Sequence, residues 1–210
     1  MIQYLLFDLD NTLYSTRYGL ERNVDRRIIA YMASYLGLSL EEAAEQRREG
    51  IRFYGTTLEW LRNEKGLSDV EAYYAATHPE EEADTLPPNP MLRSFLESLP
   101  LPRAILTNSP REHVDRILNK LEIPEDLFTH IFDIRRNGFK GKPKAEVFYQ
   151  VLAVLGTTPE TTLFIDDYPP YVEGYLALGG KGLLLDEENA YPDYLHPRIR
   201  ELRELTGYLK

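Results

Sequence analysis

Ile2-Gln3-Tyr4-Leu5-Leu6-Phe7-Asp8-Leu9-Asp10-Asn11-Thr12-Leu13 opens the chain. A short apolar run stops abruptly at acids and turn formers. This is the pattern of a strand buried on both faces of a parallel sheet, with polar chemistry at its carboxyl end. Similar runs recur at Arg103-Ala104-Ile105-Leu106, at Thr162-Leu163-Phe164-Ile165 and at Gly182-Leu183-Leu184-Leu185. Each leads into a polar cluster: Thr107-Asn108-Ser109, Asp166-Asp167 and Asp186-Glu187-Glu188. Ligands of open α/β sheets bind beyond the carboxyl ends of the strands, so these clusters are expected to converge on one site.

Between the first and second runs lies a long helical block. Arg27 to Leu36 reads as a helix that stops at Gly37, and Ser39 caps a second one beginning Leu40-Glu41-Glu42. Further helices are predicted around Thr57 to Asn63 and Ser68 to Ala76, before the breaker Leu86-Pro87-Pro88-Asn89-Pro90. One crossover helix normally suffices between parallel strands. The excess predicts an α/β protein whose Rossmann-like parallel-sheet core (residues 1–15 and 87–210) carries an inserted α-helical cap (residues 16–86). After Asn108 a further helix is well marked: Ser109 as cap, Pro110 in the first turn and Glu112 completing a capping box. Its apolar residues Val114, Ile117, Leu118 and Leu121 share one face.

The composition narrows the function. At 210 residues, 43% hydrophobic and 28% charged, the chain suits one α/β domain with an insertion. No apolar stretch approaches a membrane span. The opening lacks a basic leader region and carries two acids by residue 10, so a cytoplasmic location is expected. Without cysteine there is no disulfide, thiolate metal site or thiol nucleophile. A net charge of −10 argues against a nucleic-acid polymer as partner, but not against a small phosphorylated substrate. The four histidines, His78, His113, His130 and His196, show no metal-ligand spacing and read as surface or structural residues.

Two acids two positions apart at a strand end project the same way if the extended geometry persists, and can share a hard divalent cation. Asp8 could attack phosphorus in line. Asp10 could protonate the leaving alkoxide and then deprotonate a water. The competing reading has two loop acids capping Thr12 or solvating the strand end. The other strand ends weigh against it. Thr107-Asn108 offers a hydroxyl and an N–H at a helix start as a phosphate cradle. Lys140-Gly141-Lys142-Pro143 offers a cation, and Asp166-Asp167 the extra carboxylates of a magnesium site. Phosphoryl transfer needs a nucleophile, a metal, a cation and hydrogen-bond donors, and each stands near a predicted strand end.

Asp8-Leu9-Asp10-Asn11-Thr12, Thr107-Asn108, Lys142-Pro143 and Asp166-Asp167, in that order, resemble the haloacid dehalogenase superfamily along essentially the whole chain. The resemblance implies a Mg2+-dependent hydrolase with Asp8 as nucleophile and Asp10 as acid and base. It further implies Lys142 as the charge-neutralising lysine, ahead of Lys140, and Thr107 and Asn108 as phosphate binders. Asp8, the main-chain carbonyl of Asp10, and Asp167 with Asp166 beside it are the implied metal ligands. Lys144-Ala145 replaces the second proline of many relatives, and Tyr171 stands where many carry another acid. The acid at Asp10 points to phosphate rather than dehalogenase chemistry and leaves phosphomutases open. Tyr14 and Tyr54-Gly55-Thr56-Thr57-Leu58 are similar to the pyrimidine 5′-nucleotidase group, which implies a nucleoside monophosphate substrate. Sugar phosphates or phosphoglycolate, or a non-catalytic module sensing a phosphorylated ligand, are the alternatives. Tyr54 and Trp60 read either as packing within the cap or as a face stacking on a nucleobase.

Overall fold

The computed structural model describes residues 1–209. Strand β1 (Tyr4–Phe7) is followed by helices α1 (Leu20–Leu36), α2 (Leu40–Tyr54), α3 (Thr57–Glu64), α4 (Val70–Thr77) and α5 (Pro90–Ser98) before β2 (Arg103–Leu106). Then come α6 (Arg111–Leu121), β3 (His130–Phe132), α7 (Ala145–Leu155), β4 (Thr162–Asp166), α8 (Pro169–Leu176), β5 (Lys181–Leu185) and β6 (Arg198–Ile199). The strands form one sheet in the order β3-β2-β1-β4-β5-β6, parallel at every pairing.

The pleat explains the apolar opening. Leu5 and Phe7 enter a cluster with Val114, Ile117 and Leu121 of α6, while Tyr4 and Leu6 enter another with Phe148 and Val151 of α7. Both faces are covered, so alternation disappears and the strand reads as uniformly hydrophobic. Phe7 lies opposite Ile105 and Ile165, which brings Asp8, Thr107 and Asp166 to one edge. The chain order reverses around β1, with β2 on one side and β4 on the other. A crevice at the carboxyl ends is the consequence.

Helices α1 to α4 have an apolar cluster of their own, including Met32, Leu58, Trp60, Leu61 and Tyr73. α1 ends at Gly37 in the left-handed conformation (φ 68°), and Ser39 caps α2 as expected, with Glu42 completing a capping box. The cap predicted for α6 is absent. Pro110 occupies the cap position before Arg111 and has no side-chain acceptor to offer, and Ser109, one residue further out, donates its hydroxyl to Asp10 at 2.7 Å. Glu112 likewise pairs outward with Arg135 at 3.2 Å. Among the described residues no helix is long and apolar enough to cross a membrane.

Candidate active site

Asp8 follows β1 directly and its N–H donates to Ile165 O at 2.8 Å, which fixes it beside β4. The Lys142 ammonium lies 2.6 Å from Asp8 Oδ1 and 2.6 Å from Asp166 Oδ2. Lys142 and Asp166 are fully buried. Two carboxylates outweigh the burial that would discharge the amine, so Lys142 is held charged, its pKa raised. Burial raises Asp8 and Asp166, which Lys142 opposes but does not cancel. Lys140 plays no part in the site; it pairs with Glu146 at 3.0 Å on the surface.

The lysine is placed by its backbone. Asn108 Oδ1 accepts from Lys142 N (2.8 Å), while Asn108 Nδ2 donates to Lys142 O (3.2 Å) and to the Tyr171 hydroxyl (3.0 Å). The Asn108 side chain is thus spent on the Lys142 loop. Its main-chain N–H has no acceptor among the described residues. Thr107 Oγ1 accepts from Ser109 N at 3.0 Å and keeps its own hydrogen free. Gly55, at φ 81°, closes α2 against this loop; a Cβ there would lie 3.2 Å from Lys142 O. A Cβ at Gly141 would meet Thr56 Cγ2 at 2.5 Å. Only glycine permits so close an approach of insertion and loop.

One oxygen each of Asp8, Asp166 and Asp167 lie within 4.8 Å of one another. Hard oxygen donors in such a group suit magnesium. Within it the three differ. Asp166 gives Oδ2 to Lys142 and Oδ1 to Tyr168 N at 2.9 Å. Asp167 accepts only the Asn11 amide, at 3.2 Å, and Thr12 donates to Asp8 Oδ2 at 3.3 Å. Burial, then Asp166, Asp8 and Glu21, push Asp167 up to about 9. A carboxylate this disfavoured as an anion fits a site completed by a cation. Glu21 of α1 joins the same Asn11 amide.

Asp10 meets an unexpected partner. Its Oδ1 accepts from the Tyr14 hydroxyl at 2.5 Å and contacts His113 Nε2 at 2.7 Å; its Oδ2 takes Ser109. Burial would raise Asp10, but His113 and then the two hydroxyls hold it well below the usual carboxylate range. Burial would discharge His113, yet Asp10 and Glu82 raise it to about 10. Of the four histidines read as surface or structural, His113 is thus a buried one, without exposed surface and in contact with the candidate acid and base. The only signal in the sequence was a histidine on the otherwise apolar face of α6.

A cavity of about 170 Å3 opens beside these groups, lined by Asp25, Arg47, Tyr73, Tyr74, Ser109 and Tyr171 among others. Tyr54 and Trp60 are not part of it. They line a separate depression with Gly50 and Glu64; Tyr54 donates to Glu64, and Trp60 packs on Gly50. Of the two readings for these aromatics, packing is what the structure displays, since neither ring faces the crevice.

Comparison with known proteins gives one consistent picture. The chain is 24% identical to the phosphoglycolate phosphatase of Pectobacterium atrosepticum, over 99% of this chain and 93% of that one. Among solved structures it is similar to the hydrolase YfnB of Bacillus subtilis bound to magnesium, with TM-score 0.60 and 21% identity over 100% and 99% of the two chains. It is equally similar to the L-2-haloacid dehalogenase of Xanthobacter autotrophicus, with TM-score 0.60 and 17% identity over the full length of both. At these identities the structures speak for the fold. The model of the haloacid dehalogenase-like hydrolases matches residues 2–179, and the chain belongs to that family.

Proposed function

We propose that this hydrolase cleaves small phosphomonoesters through an aspartyl-phosphate on Asp8. The observation that carries the reading is the Asp8 carboxylate, held 2.6 Å from the buried Lys142 ammonium and grouped with Asp166 and Asp167. Asp8, Asp167 and the carbonyl of Asp10, with Asp166 beside them, would hold magnesium, which when bound screens the nucleophile's charge from an incoming phosphate dianion. Asp8 attacks phosphorus and the ester oxygen departs with a proton from Asp10; water then attacks the phosphorus while Asp10 takes its proton. Lys142, Thr107 and the Asn108 N–H receive the phosphoryl oxygens. As an anion Asp10 is ready for the second half-reaction. For the first it takes up a proton, and it stands 2.7 Å from a charged imidazole.

Proton transfer at Asp10 is what separates this reading from the dehalogenation named for some structural neighbours, which needs no such group. In the same reading residues 16–86 act as a cap over a core of 1–15 and 87–210. The cavity of about 170 Å3 is below the usual range of roughly 300–1,000 Å3 for ligand pockets, and this favours a compact leaving group such as a short hydroxy acid or sugar. A nucleoside draws no support from Tyr54. The test is phosphate release from a panel of glycolate, sugar and nucleoside phosphates, with and without magnesium. Magnesium-dependent release that is absent in Asp8→Asn is expected; release by fresh Asp8→Asn protein, or halide release from haloacids without metal, would overturn the proposal.

A further inference from the structure

Three carboxylates and a lysine account for the phosphate end of the site, but not for a second buried polar network beneath Asp10. His113 lies in the first turn of α6 and has no exposed surface. Nε2 is 2.7 Å from Asp10 Oδ1 and Nδ1 is 2.9 Å from Glu82 Oε1, the latter too bent for a good hydrogen bond. The Glu82 side chain is itself 1% exposed and is held by Arg116 at 2.9 Å, by His78 at 3.0 Å and by Arg27 at 3.6 Å. The remaining buried positions of α6 are Val114, Ile117, Leu118 and Leu121.

A packing role does not explain this arrangement. Burying charges costs several kcal/mol per ion before pairing, and an apolar residue at position 113 would match its neighbours. A cation in the first turn is also opposed by the helix dipole. Nor does the trio His78, Glu82 and His113 read as a metal centre. Both His113 nitrogens face carboxylates, and Glu82 already carries a guanidinium on Oε1.

We infer that His113 is a positioning residue for Asp10 and that Glu82, from the segment returning the chain from α4 to α5, holds His113 in place. The imidazole is a spacer of fixed length between two carboxylates. One of them performs proton transfer in the function proposed above, on which this inference rests. Arg27 donates to Thr77 O at 2.8 Å while approaching Glu82, so α1, the return segment and α6 are fastened at one point. The Asp10 carboxylate thereby keeps its place relative to the helical insertion as well as to the sheet.

The consequence is a leaving-group signature. The p-nitrophenolate ion leaves without a proton, so Asp8 can be phosphorylated from p-nitrophenyl phosphate with little help from Asp10. An alkyl phosphate needs that proton, and the water step needs the base with either ester. Rapid-mixing kinetics of the wild type, His113→Gln and Glu82→Gln provide the test, with thermal melts confirming folding. General acid–base catalysis contributes about 10²–10⁴-fold. Misplacing Asp10 should lower steady-state kcat about 100-fold in His113→Gln and about 10-fold in Glu82→Gln. With p-nitrophenyl phosphate KM should fall along with kcat, leaving kcat/KM and the p-nitrophenolate burst within about 3-fold of wild type, against a far larger fall in kcat/KM for an alkyl ester. Folded variants with wild-type kcat on both esters, or with burst and steady state falling together, would overturn the inference. If Glu82→Gln does not fold, His113→Gln alone decides it. A wild type without any phosphate release would instead refute the function proposed above.

Discussion

Lys142→Met is the sharpest perturbation this site offers, because methionine keeps most of the volume and removes only the charge. At an effective dielectric of about 20, a contact of 2.6 Å is worth roughly 6 kcal/mol before desolvation, and Lys142 makes two. Desolvation of three buried groups consumes most of that, but it is not returned when one partner is deleted. Removing one member of a buried ion pair typically costs about 3–5 kcal/mol. At about 2–4 °C per kcal/mol for a chain of this size, the melting temperature should fall by about 6–20 °C.

The loss should depend on pH with a definite sign. Asp8 and Asp166 already have raised pKa values, chiefly through burial, and Lys142 is the main influence lowering them. Without it both rise further, so the variant is stable where they are protonated and loses stability as pH climbs through the new values. Urea unfolding from pH 5 to 8 should therefore show the gap to wild type widening, and millimolar magnesium should close part of it by binding the folded variant, whose carboxylates lack their ammonium, more tightly than it binds wild type. Turnover should fall at least about 100-fold, as when one preorganised donor is removed. A gap under about 1 kcal/mol, flat with pH, would show that the ammonium is not what balances these carboxylates.

Asp167→Ala should raise the magnesium requirement for phosphate release more than Asp166→Ala, while Asp166→Ala should cost more stability because it strips a partner from Lys142; titration calorimetry and melts together read both. Tyr54→Ala should leave the ranking of esters unchanged, since its ring lies outside the crevice, whereas Arg47→Gln, in the cavity wall, should reorder it in a panel assay. His113, raised to about 10 from an ordinary 6.5, adds stability that is complete below about 6.5 and lost as pH rises to about 10. The stability difference between wild type and His113→Gln should accordingly shrink over that window in urea titrations.

What could be read in the sequence was whatever local pattern controls. β1, β2, β4 and β5 declared themselves because strands covered on both faces are unbroken apolar runs, and the acids after β1 and β4 do meet, whereas those after β5 are taken up elsewhere, Asp186 by Arg198 at 2.6 Å and Glu187 by Ser15 at 2.7 Å. The His130–Phe132 and Arg198–Ile199 strands are too short to carry a periodicity. The Asp10–His113 contact joins residues 103 positions apart, and no spacing rule reaches that far. Ser109 misled for a related reason. Serine before proline is a sound cap signal, but the helix starts one residue later than the signal implies, with Pro110 at the cap position, and the Ser109 hydroxyl donates to Asp10 instead. Asn108, expected as a phosphate binder, spends its side-chain amide on the lysine loop.

The position four residues after Asp167 shows how one departure is absorbed. Tyr171 puts its hydroxyl on Asn108 at 3.0 Å and its ring 4.9 Å from the Lys142 ammonium, so that edge supports the cation where many relatives carry an acid. Negative charge enters from the opposite side instead. Glu21 of α1 shares the Asn11 amide with Asp167, and burial, followed by Asp10 and Asp25, raises it to about 7. Lys142 pairs with Asp8 and Asp166, while Asp167 is joined through Asn11 to Glu21, a fourth carboxylate supplied by the helical insertion. A site so short of positive charge favours a divalent cation over a bare phosphate dianion. On electrostatic grounds, cation first and substrate second is the order of binding that this arrangement supports.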